Sequence, residues 1–301
     1  MFAAFLTTIL FSLSAICGHR SAKLIGGTEA NFWRASTATL LLGIWAYTAG
    51  CGLAGAAFPV FLLSGICGIG MGDVAFFQAL PRLGSRLSLL LVHCLTAPLA
   101  ALLERLWLGT RLTGWQLAFG AMALAGVGIA LSPGAHLRLS RRDLWVGSLA
   151  GVLAAVGGAG GAVLSRQAYR VMAAAGEHLD PFNAGYQRML GGVLIAGLCL
   201  VAVKAGGVVR GAAAGGAGGA KWSRVWYWIL LNALAGQTFG VSSMQWALET
   251  TPAGVVLPII ALAPIVVMPL AYVLEGERPS RRSILGGVIA VCGVILLTAS
   301  R

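Results

Sequence analysis

Charge is what this sequence has least of. Only 10% of its 301 residues are Asp, Glu, Lys or Arg, and nine are acidic. A water-soluble domain carries about a quarter. Polar side chains this scarce cannot cover a globule in water. With 58% hydrophobic residues and a mean hydropathy of +0.87, lipid is the better solvent. Chemical motifs are scarce as well. The six cysteines form no CxxC pair, and all but Cys51 lie inside apolar runs. They read as small buried hydrophobes, giving no support to a disulfide framework or a zinc site. No HExxH or GxSxG occurs, and Asp73 is the one clearly deep carboxylate, so an intramembrane hydrolase lacks its paired groups. Phosphate-loop and dinucleotide fingerprints are missing too, which argues against built-in ATP hydrolysis and implies no cofactor.

What charge there is runs to one sign, with 21 Lys and Arg giving a net +12. Such an excess can mark nucleic-acid binding. Here, however, the basic residues sit in short gaps between apolar runs and form neither a face nor a tail, so they read as the flanks of membrane helices.

A crossing needs about 20 mostly apolar residues. Ten stretches qualify: Phe2–Gly18, Phe32–Gly50, Phe58–Leu80, Leu87–Leu108, Trp115–Leu131, Leu144–Leu164, Ala184–Val203, Trp226–Leu248, Gly254–Leu274 and Ile284–Thr298. The first has no basic residue before its apolar run and no clear cleavage signal, so a retained helix is favoured over a signal peptide. Residues 206–220 are nearly all Gly and Ala and read as a flexible linker. Fifteen of the 21 basic residues fall in or beside odd-numbered connections. The positive-inside rule then predicts those connections in the cytoplasm and both termini outside.

The chain also repeats itself. Gly68 and Gly72 match Gly236 and Gly240, and Ala79-Leu80 match Ala247-Leu248, all at a separation of 168 residues. Gly109, Arg111, Gly120 and Gly126 match Gly276, Arg278, Gly287 and Gly293 at 167. Phe32-Trp33-Arg34 resembles Tyr186-Gln187-Arg188 at 154, and an insertion about the length of the Gly/Ala linker reconciles the registers. Five helices per half is an odd number, so the second copy must enter the membrane from the opposite face. The expected fold is therefore an all-α polytopic membrane protein of ten transmembrane helices, arranged as two inverted five-helix repeats over 1–136 and 144–301. Gly68, Gly72, Gly236 and Gly240 are expected to let helices approach closely.

The segments PLAALLERLWLGTRLTGWQLAFGAMALAGVGIAL (Pro98–Leu131) and PIVVMPLAYVLEGERPSRRSILGGVIAVCGVILL (Pro264–Leu297) resemble the drug/metabolite transporter superfamily, in its EamA-type members with ten helices. By this resemblance Pro98 and Pro264 correspond to helix prolines of the fourth and ninth spans. Gly276-Glu277-Arg278 matches the following turn in full, whereas the first copy departs from it with Gly109-Thr110-Arg111. The resemblance implies a transporter of small metabolites, amino-acid-like compounds or amphiphiles and no enzyme, without fixing a substrate. Its expected place is the bacterial cytoplasmic (inner) membrane, in contact with lipid, with a homodimer compatible but not required.

A charge within the bilayer costs roughly 2.5–3.5 kcal/mol even on lenient scales, so each one needs a partner or a wet cavity. Asp73, in span three, and His93, in span four, are the leading candidates for a solute or proton pathway. Asp73 could exchange a proton and His93 share it or bind solute; alternatively both are structural, with Asp73 neutralised by Arg34 or His93. Arg34 and Arg188, at matched positions, either attract an anionic group or snorkel to headgroups. Asn232, Gln237, Ser242, Ser243 and Gln245 make span eight a pathway-lining or interhelically bonded helix, with Gln78 a weaker counterpart. Trp33, Trp246, Tyr186 and Phe76–Phe77 are candidates to stack on an aromatic solute. Pro98, Pro258, Pro264 and Pro269 are expected to bend their helices beside the pathway. Transport by alternating access, as an exporter coupled to protons, is the leading reading. A structural or receptor role is its rival of another class, and an intramembrane enzyme a more distant one.

Overall fold

A backbone in hydrocarbon has no water to bond, so each crossing segment must satisfy its own N–H and C=O groups, and a helix does so. In the computed structural model, residues 2–108, 113–131, 140–209, 219–251, 253–276 and 280–300 are described, and every regular element among them is helical. In chain order these are α1 (Phe2–Ile25), α2 (Gly27–Thr48), α3 (Phe58–Gly65), α4 (Val74–Leu108), α5 (Gly114–Leu131), α6 (Arg141–Ala174), α7 (Pro181–Val209), α8 (Gly219–Asn232), α9 (Val241–Thr250), α10 (Ala253–Ile260), α11 (Ala263–Glu275) and α12 (Arg281–Ala299). Four described helical stretches are long and apolar enough to cross a membrane: Phe2–Ile25, Phe58–Ala100, Arg141–Ala174 and Pro181–Gly206. Large apolar side chains such as Trp145, Leu149, Val201 and Val273 face outward, where lipid rather than water suits them.

Several boundaries differ from the sequence expectation. The first connection shrinks to Gly26, whose φ of 87° is open to glycine, so Arg20 and Lys23 end α1 and Arg34 sits inside α2. Spans three and four share α4, broken at Gly84 (φ 80°, ψ 169°), three residues after Pro81. Of the expected linker, residues 206–209 continue α7 and 219–220 begin α8; the rest, 210–218, lies outside the described residues. So do Gly109, Arg111, Glu277 and Arg278 of the turn motifs.

Two rods change pitch midway. Between α3 and α4, Ile66–Asp73 winds as a π-helix, and between α8 and α9, Ala233–Gly240 does the same. Each is flanked by residues in right-handed helical conformation, so the rods are continuous. Each stretch carries one of the two GxxxG pairs. Elsewhere, α10 and α11 are separated by Ala261–Leu262, and Pro264 stands in the first turn of α11 instead of bending a continuous helix. The pyrrolidine supplies no N–H and would collide with the preceding turn, so the helix restarts there. Hydroxyls of α1 lie by this break, with Thr8 Oγ1 2.9 Å from the Ile259 carbonyl oxygen and Ser12 Oγ 3.2 Å from that of Ala263. Pro98 and Pro269 do lie within helices, α4 and α11.

Packing relies on small residues. A Cβ on Gly161 of α6 would fall 2.7 Å from the Gly68 Cα, and one on Gly157 would fall 2.8 Å from the Gly72 Cα. Gly236 and Gly240 likewise approach Ser14 and Phe11 of α1. Two further seams are antiparallel. Along α5 and α12, Gly126 meets Ala290 while Ala123 meets Gly293. Along α2 and α7, Glu29 pairs with Lys204 (3.6 Å) at one end and Gly50 abuts Asn183 at the other. Between these ends, Gly43 contacts Tyr186 and Phe32 contacts Gly197. α1 runs through the middle, touching α2, α4 and α8 to α11.

Candidate functional site

Both π-helical stretches face one internal cavity, which offers about 130 Å³ to water-sized occupants. Its wall draws on α1 (Phe11, Ser14), α2 (Arg34), the first π stretch (Gly68, Ile69, Gly72, Asp73), α4 (Phe76, Leu89, Val92, His93, Thr96) and α6 (Ala154, Gly158). Arg188 of α7, Gly236 and Gln237 of the second π stretch, Val241 and Met244 of α9, and Leu257 and Ile260 of α10 complete it.

Asp73 ends the first π stretch, and its Oδ2 accepts two hydrogen bonds. One comes from Arg34 Nη2 at 2.9 Å and the other from Gln237 Nε2 at 2.7 Å. The same Arg34 nitrogen donates to Asn31 Oδ1 at 2.6 Å, and the guanidinium carbon stands 4.6 Å from the Phe77 ring centroid. Arg34 is 3% exposed while the Asp73 side chain retains 22%. The pair is thus a buried cation fixed against an aromatic face, with its carboxylate open to the cavity. An ionised partner makes such bonds short and strong.

Arg188, the counterpart of Arg34, is equally buried at 3% and lines the same cavity. Its Nε and Nη1 are buried with no hydrogen-bond partner among the described residues. Neither arginine snorkels. His93 lines the cavity stacked on Phe11, with centroids 5.9 Å apart and planes 11° from parallel. Among the alternatives open for Asp73, the partner is Arg34.

The remaining candidates divide. Gln237 lines the cavity; its Oε1 is buried without a partner among the described residues. Asn232 accepts from Ser14 at 2.7 Å, tying α8 to α1 just outside the wall. Ser242 and Gln245 are buried but lie off the wall, and Gln78 joins Thr28 and Arg82 instead. Of the aromatic candidates only Phe76 reaches the cavity. Trp33 and Trp246 are exposed, Phe77 backs Arg34, and Tyr186 stacks edge-on with Tyr47. Pro98, Pro264 and Pro269 do not contribute to the wall, whereas Gly68, Gly72 and Gly236 do. Sequence reasoning missed Asn31, Ser14, Phe11, Thr96 and Met244. Asn31 lay three residues before Arg34, a spacing that puts both on one helix face.

The profile of the EamA-like transporter family matches residues 1–132 and 145–299. No functionally curated protein matches the chain. Among solved structures, one described only as the crystal structure of a protein superposes with a TM-score of 0.68 at 19% identity, covering 99% of this chain and 96% of its own. At that identity the likeness speaks for the fold alone.

Proposed function

We propose, on the premise that this chain belongs to the EamA-like transporter family, that it exports small solutes by alternating access through this cavity. Ten passes are inferred by counting the rod from α3 to the Gly84 break, the remainder of α4, the rod from α8 to α9, and α10 with α11 as one pass each. The two units, 1–136 and 144–301, are then inverted repeats.

What supports the inversion is a set of contacts that exchange under the sequence registers. Shifting by 154 turns the Glu29–Lys204 contact into Asn183–Gly50, and Phe32–Gly197 into Tyr186–Gly43. Shifting by 167 turns Gly126–Ala290 into Gly293–Ala123. Helices related by an axis in the membrane plane must run antiparallel across it, as both seams do. The π stretches sit at matching places in the two units and meet at the cavity, so a change of pitch in either would alter its wall.

The single observation that carries the transport reading is the triad Arg34–Asp73–Gln237, which joins the two proposed repeats at a cavity in a low-charge interior. Its opening would free the Asp73 carboxylate to take up a proton in one state and return it in the other. The protein is placed in the bacterial cytoplasmic membrane by this reading, with odd-numbered connections cytoplasmic; neither an enzyme activity nor a dimer is required.

Reconstitution in liposomes tests it. With an imposed pH gradient and a screen of amino acids, related metabolites and amphiphiles, at least one solute is expected to move and to follow the gradient. Asp73→Asn is expected to keep exchange of solute but lose its response to the gradient. Transport that ignores the gradient in both forms ends the proton-coupling reading; no transport by a folded sample favours a structural role.

A further inference from the structure

The cavity holds two guanidinium groups against one carboxylate. We propose that Arg188 is the recognition point for an anionic solute, and that the substrate class is the organic monocarboxylate with an apolar body. This inference rests on the transport reading and deepens it.

The duplication shows what is missing. The register that pairs Gly68 with Gly236 and Gly72 with Gly240 pairs Asp73 with Val241. Arg34 therefore has a carboxylate from its own repeat, while its counterpart Arg188 has a valine at that place. Val241 lines the same cavity and is 4% exposed. The Nε and Nη1 nitrogens of Arg188, with three N–H groups between them, are consequently buried with nothing among the described residues to accept from them. Leaving a buried charged donor unpaired is costly, and a protein that retains one in a cavity wall can recover that cost from a ligand.

The chemistry of the missing partner follows from the donor. A guanidinium presents parallel N–H groups that match the two oxygens of a carboxylate. Asp73 cannot serve a cationic solute without surrendering its bonds from Arg34 and Gln237, and no other acidic side chain among the described residues lines the cavity. Cationic amphiphiles are disfavoured on that ground. Phe11, Phe76, Leu89, Met244 and Leu257 supply an apolar wall for the rest of the molecule. A bound carboxylate would restore in the second repeat the pairing that Asp73 provides in the first.

The test uses the full-length protein purified in detergent and in proteoliposomes. The probes are phenylacetate and hexanoate, with their amides and the corresponding amines, and phenyl phosphate as an alternative anion. Binding is read by calorimetry and uptake by radiolabel. The carboxylates are expected to bind and to be transported, with amides and amines at least tenfold weaker. Arg188→Gln is expected to weaken carboxylate binding about 30-fold or more, the loss that follows removal of one partner of a buried charge pair. Arg188→Lys, which keeps the charge but loses the fork, should recover part of it. Size-exclusion and circular dichroism confirm that the variants fold; if Arg188→Gln does not, the lysine variant and the amide comparison carry the test.

Transport confined to amides or amines, or carboxylate binding unmoved in folded Arg188→Gln, would overturn the proposal while leaving transport intact. Tight binding of phenyl phosphate with none of either carboxylate would overturn the carboxylate assignment. Arg188-dependent carboxylate binding without uptake would uphold the anion site and remove the transport reading instead.

Discussion

A carboxylate inside a membrane protein is stable only through what surrounds it, and Asp73 has three supports within two bonds: Arg34, Gln237 and, through Arg34, Asn31. Removing one member of a buried pair leaves the other unpaired, at about 3–5 kcal/mol. Partial exposure of Asp73 to the cavity puts the expected figure at the lower end of that range. Asp73→Ala should therefore destabilise the protein by about 3 kcal/mol in detergent unfolding, measured by tryptophan fluorescence. Adding Arg34→Ala should cost less than the sum of the single changes, because the orphaned cation goes with it. A strictly additive cycle would mean that the two groups are not coupled, and the ion pair would lose its place at the site.

At the scale of elements, glycine decides how closely helices meet. The Gly68–Gly161 crossing is backbone on backbone, with neither helix offering a flexible side chain to yield. Gly161→Ala should thus lower stability by about 1–3 kcal/mol, the usual effect of overpacking. Gly160, the next residue, has open space where its Cβ would be, so Gly160→Ala should be neutral or stabilising by up to ~1 kcal/mol through helix propensity. Thermal unfolding of the pair in one detergent checks both, and equal shifts would deny the close crossing. Gly68 drew notice in the sequence because a duplicated glycine stands out even where glycine is common. The Arg34–Asp73 pairing was legible as an alternative, since one deep acid has few candidate partners. The π pitch was not legible: Ile66–Asp73 and Ala233–Gly240 combine apolar residues and glycines with a few polar groups, and a change in hydrogen-bond register leaves no compositional mark. Nor was the cavity's use of α1, whose Phe11 and Ser14 sit in an apolar run with no charge to mark them. The turn at Gly26 was missed for a related reason. Arg20, Lys23 and Arg34 suggested a wet loop, whereas the helices run on and a single glycine reverses the chain.

For the molecule as a whole, the open physical question is which face of the membrane each end of the α2–α7 seam meets, and a native residue can answer it. Cys51 lies between α2 and α3, outside the membrane-spanning segments, and is exposed. Its backbone N–H donates to Asn183 Oδ1 at 3.1 Å, so it marks the end of the seam opposite Glu29 and Lys204. Cys17 and Cys94 are buried, Cys67 and Cys199 are half-buried within helical apolar runs, and Cys292, though exposed, sits on the apolar helix α12. A membrane-impermeant maleimide should therefore label chiefly Cys51, and Cys51→Ser should abolish the signal. Partial desolvation pushes the Cys51 thiol above its ordinary value of 9.0, and the nearby Asp180 carboxylate adds to the shift. The reactive thiolate is thus scarcer at neutral pH than on a free cysteine, and the labelling rate should still be rising as pH passes 9. With odd-numbered connections in the cytoplasm, the second connection, which holds Cys51, faces outward. Right-side-out vesicles should then label directly and inside-out vesicles only after permeabilisation. The reverse pattern would invert the orientation while leaving the fold untouched, because the inverted repeats proposed above would present nearly the same helices to either face and leave the choice to the basic flanks.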